Sequence, residues 1–346
     1  MNNFEQQYHD ILVNILEHGA CKKDRTGTGT YSSFGHLMKI DMSAGFPLLT
    51  TKKIHIKSVI GELLWFLQGG DNIRPLLQMG VTIWSEWPYQ RFCKANPELT
   101  EDDGYTIKEF EKQILADEDF ANKWGGLGPV YGSQWVNWNG LGINQIEQAI
   151  TDLKNNPDSR RIMISAWNPE QLNKQLLPPC HYAFQLWTKE LSAIERGLIS
   201  TAPVRLNHFV VPGVENVQID KIQNSLAHSC YDSEGVPSRS LSLMFHMRSV
   251  DMFLGFPFDV ASYGALLHMI AQSVNMVPGE LIITTGDTHI YTNHVEQVST
   301  LISRDIRALP KIVLNKNVSD LFSFTMPDIS FENYNPHPSI KAAVSV

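Results

Sequence analysis

Cys180 stands in "LPPCHYAFQLW", directly after a proline pair and at the head of an apolar, β-type run. Such a cysteine is either an inert apolar filler or a nucleophile, and the thiolate a nucleophile needs forms where cations surround it. His181 follows, but successive strand residues point to opposite faces, so its imidazole need not meet the sulfur. Loops and strand ends supply the candidate cations. Arg25 lies in a Gly/Thr turn, Arg160 and Arg161 lie between a helix end and a strand, and Arg248 precedes Ser249. A planar guanidinium grips phosphate with two parallel bonds, although surface salt bridging uses the same residue type. Glu62, in "IGELLWFL", sits beside the apolar face of a helix with no cation at helical spacing. Burial would raise its pKa into the range useful for proton transfer; a half-exposed helical glutamate is the plain alternative. His289 and Tyr291, in "GDTHIYTNH", share a face if the segment is extended. They suit sugar hydroxyls, or a metal whose third ligand is not visible. Trp84 and Trp87 suit either the core or a stacking wall for a flat ligand. Asp259, in "GFPFDVASYGALLHM", falls where an apolar turn meets a helix, so it either caps that helix or reads the edge of a ligand.

These residues need elements to hold them. Phe4, Tyr8, Ile11, Leu12, Ile15 and Leu16 recur at helical spacing and predict a helix ending at Gly19. A second helix carries Ile56, Val59, Ile60, Leu63, Leu64 and Leu67 and stops at "GG"; a third carries Ile143, Ile146, Ile150 and Leu153 and stops at "NNPDS". "RIMISAW", "CHYAFQLW", "LSLMFHMRSV", "ELIITTG" and "KIVLNK" read as strands, and 260–275 as a helix. Residues 88–125 read as a polar surface insertion, and 189–240 as an elaborated hairpin or a small extra lobe. With no repeat or linker in view, the pattern predicts one α+β domain over 1–346 with those two insertions.

The formal net charge of −8 argues against nonspecific binding of duplex nucleic acid, while leaving room for a local anion pocket. Four scattered cysteines without paired spacing suggest neither a zinc ribbon nor a disulfide scaffold, and point to a reducing, cytoplasmic compartment. No signal peptide and no uninterrupted membrane-spanning run is expected.

Taken in order, "RTGTGT", "GFPLLTTKK", "ELLWFLQG", "LGPVYGSQW", "PDSRRIMISAWNP", "LPPCH", "RSVDMFLGFPF", "GDTHIYTNH" and "YNPHPSIKAAVSV" resemble thymidylate synthases over nearly the whole chain, 88–125 and 189–240 excepted. The resemblance implies an α+β sandwich of a mixed sheet with helices, a homodimer packed through its sheets, and 5,10-methylene-tetrahydrofolate as carbon and hydride donor, with no metal. By resemblance, Cys180 attacks C6 of a pyrimidine nucleotide. Arg25, Arg248 and Ser249 bind its phosphate together with Arg160 and Arg161 of the other subunit. Glu62 and Tyr131 relay protons, and His289 and Tyr291 hold the deoxyribose. Asp251 meets the pterin, Lys52 the folate tail, and Trp84, Trp87, Leu177, Gly255 and the Val346 region close over the folate. The sulfur addition makes C5 electron-rich, C5 takes the methylene, and hydride from the folate completes the methyl group. Water arriving first would give a hydroxymethyl product, so exclusion of water matters.

The chain departs from that family at Asp259, where Asn is usual, and at Gly61, Met247 and Thr285, where His, Gln and Gly are frequent. An Asn amide matches uracil, accepting from N3–H and donating to O4. Cytosine reverses both signs, and a carboxyl sharing a proton with N3 meets the reversed pattern. The family's deoxycytidylate hydroxymethylases are similar in using Asp here. The expected substrate is therefore dCMP, with methylation expected from the intact closing residues. A thymidylate synthase acting on dUMP, a dCMP hydroxymethylase, and an idle homologue that binds RNA are the competing readings. Altered cytosine chemistry would suit a phage-like virus that marks its own DNA.

Overall fold

The helical spacing of Phe4, Tyr8, Leu12 and Ile15 becomes a helix, α1 (Asn3–His18), with those four side chains buried. It ends where expected: a Cβ on Gly19 would stand 2.3 Å from the Ile15 carbonyl oxygen. The structure is a computed structural model and describes residues 3–24, 27–99, 105–200 and 216–344, excepting the side chains of 216–223. After α1 come β1 (Ala20–Lys22), β2 (Thr30–Asp41), α2 (Ile56–Leu67), α3 (Arg74–Gln78), α4 (Glu86–Ala95), α5 (Ile107–Ala116), α6 (Glu118–Trp124), α7 (Tyr131–Val136) and α8 (Gln145–Asn155). Then follow β3 (Met163–Ser165), β4 (His181–Glu190), α9 (Ala193–Ile199), α10 (Asn216–Ser233), β5 (Arg239–Asp251) and α11 (Gly255–Ser273). β6 (Val277–Tyr291), α12 (Val295–Ile302), β7 (Lys311–Leu314) and β8 (Ile329–Glu332) complete the order.

Among the described residues, six strands form one mixed sheet in the order β1-β2-β6-β5-β4-β3, consistent with the expected α+β class. Only β5 and β6 run parallel in it, and α11 is the crossover that parallel pairing demands. α11 is apolar on nearly every side because it is packed on every side, against β5, β6 and α2. The register places Met38, Ile283, Phe245 and Phe184 on the face that is buried. Leu37, Ile282, Met244, Met163 and Trp187 line the opposite face, where Leu37, Met163 and Trp187 are each more than half exposed.

The two segments expected as insertions are largely helical among their described residues. Residues 88–125, polar by composition, wrap α4, α5 and α6 around Phe92, whose ring lies 5.1–5.4 Å from those of Tyr105, Phe110, Phe120 and Trp124. Between the antiparallel neighbours β4 and β5, residues 189–240 leave as α9 and return as α10, and the root is closed by Leu191 N–H on the Ser238 carbonyl (2.9 Å). The hub of this excursion is Arg196, fully buried. It donates to the Val236 carbonyl (2.8 Å) and the Asp232 carboxylate (2.7 Å), and lies 5.4 Å from the Tyr231 ring centroid. No helix among the described residues is long and apolar enough to cross a membrane.

Candidate active site

Cys180 sits just before β4, beside a register shift between His181 and Ala183 that bends the strand end, as bulges do near sites. Its backbone is clamped twice: its N–H donates to the Tyr131 hydroxyl (2.7 Å), and its carbonyl accepts from Arg248 N–H (2.8 Å). The proline pair supplies acceptors without donors. Arg248 Nε donates to the Pro179 carbonyl (2.8 Å) and Nη2 to that of Pro178 (2.9 Å), which leaves Nη2 3.9 Å from the Cys180 sulfur. The cation a thiolate requires is therefore supplied by β5 and held by the loop that carries the cysteine. Of the other cysteines, Cys21 and Cys230 are exposed, and Cys93 is half-buried in the aromatic cluster of 88–125.

His181 turns away from the sulfur, as strand alternation predicts. Its ring stacks on Tyr131 with centroids 4.0 Å apart, and its Nδ1 lies 2.9 Å from the Tyr263 hydroxyl. Burial lowers its pKa to about 3, so it is neutral. Sequence reasoning assigned no role to His181 or Tyr263; adjacency to Cys180 was the only available signal. Nε2 of His181 approaches Asp259 Oδ1 at 3.6 Å, beyond hydrogen-bonding range.

Asp259 requires a correction. The helix begins at Gly255, not 260, so Asp259 is its fifth residue and caps nothing. The turn is instead satisfied by Asp251, whose Oδ1 accepts from the N–H groups of Phe253 (2.8 Å) and Leu254 (3.1 Å). The Asp259 side chain is 17% exposed and has no hydrogen-bond partner among the described residues. Burial first, then the neighbouring Glu62 and Asp251 carboxyls, push its pKa well above the ordinary carboxylate value. Both effects favour its protonated form.

Glu62 projects from α2 into the same region, 8% exposed, accepting from Trp84 Nε1 at 2.6 Å. Desolvation raises its pKa to about 7, against the lowering effect of that bond. Trp84 thus serves the carboxylate as well as the core, and its ring lies 5.3 Å from Trp87 and 6.2 Å from Tyr131. Trp87 Nε1 is buried without a partner. On β6, His289 and Tyr291 share a face as expected, with rings 5.2 Å apart. His289 Nδ1 stands 3.2 Å from Asp287, which pairs in register with Ser249 of β5. Lys52 is buried, donates to the Phe253 carbonyl, and lies 3.9 Å over the Phe253 ring. Its pKa falls to about 8 through burial, with Asp251 opposing.

Leu177 packs half-buried against the core beside the prolines. A Cβ at Gly255 would meet only ordinary contacts, with Asp259 Oδ2 at 3.9 Å and Asp251 Cβ at 4.0 Å. Arg160 and Arg161 are exposed between α8 and β3 and join no contact of the Cys180 cluster among the described residues. Arg25 and Val346 lie outside the described residues. No three His, Cys, Asp or Glu side chains are disposed to hold a metal among the described residues.

The chain matches the family model for thymidylate synthase over residues 6–202 and 214–346. It belongs to the thymidylate synthase family. It is 43% identical over 341 residues to the thymidylate synthase of Mycoplasma mobile, covering 99% of this chain and all of that protein. It is 40% identical over 361 aligned positions to the thymidylate synthase of Listeria innocua, with 99% and 100% covered. The family carries out folate-dependent C5 methylation of a pyrimidine with methylenetetrahydrofolate as cosubstrate. Trp84 and Trp87 with the unpartnered Trp87 indole N–H fit a flat, polar-edged heterocycle of that kind. The departures from the family have local companions. A Cβ at Gly61 would stand 2.9 Å from Val81 Cγ2, Met247 is buried, and Thr285 Oγ1 accepts from Thr288 Oγ1 at 2.7 Å.

Proposed function

We propose that this chain methylates dCMP at C5, with Asp259 reading the cytosine edge and Cys180 as the covalent nucleophile. The observation that carries the substrate choice is a largely buried carboxyl at 259, its pKa pushed well up by burial, that makes no hydrogen bond among the described residues and has His181 Nε2 at 3.6 Å. A largely buried acid that makes no hydrogen bond within the chain favours a ligand that offers it both a donor and an acceptor. Cytosine does so fully: the acid O–H donates to N3 and its carbonyl oxygen accepts from the N4 amine. When Cys180 adds to C6, electron density flows towards N3, and the shared proton moves onto that nitrogen, making the pair charge-assisted. A protonated Asp259 also pairs with uracil, its O–H donating to O4 and its carbonyl oxygen accepting from N3–H, but O4 is a far weaker base than N3 and takes less of the shared proton as charge builds. The difference is worth about 1–3 kcal/mol, roughly one to two decades of preference.

The folate cosubstrate supplies the carbon and the hydride. Glu62, with a pKa near 7, can give or take a proton at the base as required, and Tyr131 fixes the cysteine backbone. Arg248, Ser249 and Arg25, with Arg160 and Arg161 of a second copy, form the phosphate site of a homodimer packed through the exposed apolar sheet face. The enclosing tryptophans and Leu177 keep water from the reactive methylene, which favours methyl over hydroxymethyl product.

Proton release from C5-tritiated dCMP and dUMP, with mass measurement of each product, tests the reading. dCMP should react faster, to 5-methyl-dCMP with stoichiometric dihydrofolate. Asp259→Asn should shift preference towards dUMP by at least roughly tenfold. Unchanged selectivity would remove the cytosine assignment, and hydroxymethyl product without dihydrofolate would replace methylation.

A further inference from the structure

We propose that Arg239, at the root of the α9–α10 excursion, is the positioning residue for the loop that presents Arg160 and Arg161 to a nucleotide phosphate; this rests on the reading of those arginines given above. The loop joins α8 to β3 and is tied down along one side. Thr188 Oγ1 donates to the Pro157 carbonyl (2.8 Å), and Arg239 Nε donates to the same hydroxyl (3.0 Å), so the hydroxyl relays between cation and loop. Arg239 Nη2 donates to the Asp158 carboxylate. Nη1 holds Glu190 (3.3 Å), its opposite number in the β4–β5 register. The Arg239 side chain is 12% exposed and that of Asp158 74%, so the cation is the fixed partner and the loop comes to it.

The charge arrangement gives this brace a purpose. Asp158 stands two residues before Arg160. Released, its carboxylate would pair with a neighbouring guanidinium and compete with any incoming phosphate. Bound to Arg239 it is withdrawn, and Arg160 and Arg161 stay exposed and available. Arg239 is the first residue of β5, next to the Leu191–Ser238 closure. The attachment of the inserted lobe and the brace on the phosphate loop are thus the same stretch of chain.

Steady-state kinetics on the full chain test this, with inorganic phosphate as a competitive probe. Arg239→Met should raise the nucleotide KM roughly three- to tenfold and weaken phosphate inhibition in proportion, leaving kcat and the folate KM within about a factor of two. Arg239→Lys should fall between parent and Arg239→Met. Adding Asp158→Asn to Arg239→Met should recover part of the loss, since the released carboxylate is gone. If Arg160→Ala raises the nucleotide KM while Arg239→Met leaves it unchanged, or lowers kcat alone, the positioning role is overturned. If Arg160→Ala itself has no effect on KM, the phosphate reading of the pair falls instead.

Discussion

A carboxyl with a pKa near 7 inside an apolar helix is held there at a cost, and Glu62 makes that cost measurable. The unfolded chain ionises Glu62 near the ordinary value of 4.5 and the folded chain near 7, so between these pH values the folded state binds more protons. Stability from this group is therefore complete below about pH 4.5 and lost as pH rises towards 7, by up to about 3 kcal/mol. Glu62→Gln keeps an acceptor for the Trp84 indole and should be more stable than the parent at pH 8 but equal to it at pH 4. It should lose roughly 100-fold or more in kcat. Urea melts at the two pH values, beside tritium release, check both halves. Glu62 was legible in the sequence as an acid beside an apolar helix face with no cation at helical spacing, and its 8% exposure decides against the half-exposed alternative. Asp259 was legible as a chemical oddity but misread in position. "GFP" looks like a turn, yet Pro257 occupies the first helical turn, where the missing N–H would have lacked a partner anyway.

At the scale of elements, composition misled where an apolar stripe was thin. The 88–125 segment hides Phe92, Phe110 and Phe120 among charges, and periodicity alone did not expose their convergence. In 189–240 the sequence left hairpin and lobe equally open, because α9 is short and carries Ile194 and Leu198 on its exposed side. What organises that lobe is a cation, Arg196, rather than an apolar face. Arg196→Met should cost the lobe roughly 2–3 kcal/mol by orphaning the carbonyls it satisfies. Hydrogen exchange should accelerate in α9 and the second half of α10 while α11 and β6 keep their protection. Equal acceleration throughout would mean that the lobe is no separate unit of stability.

For the whole molecule, the apolar runs disclosed the strands, but not which of their residues face the helices, nor that the opposite face stays apolar and open. Leu37, Met163 and Trp187 on that face, and Arg160 and Arg161 near its edge, support the proposed two-fold dimer with shared phosphate sites. Mixing Cys180→Ala and Arg160→Ala chains, then unfolding and refolding together, should restore about a quarter of the parental activity at nucleotide concentrations well below the raised KM of Arg160→Ala, because half the dimers regain one complete site. No recovery would mean that each chain uses its own arginines. The distribution of sulfur has a practical corollary. With Cys21 and Cys230 in water, Cys93 half-buried and Cys180 beside the Arg248 guanidinium, a Cys21→Ser, Cys230→Ser chain offers an alkylating dye one fast target at neutral pH. The labelling rate then becomes a direct gauge of occupancy, and nucleotides can be ranked as protectants without turnover.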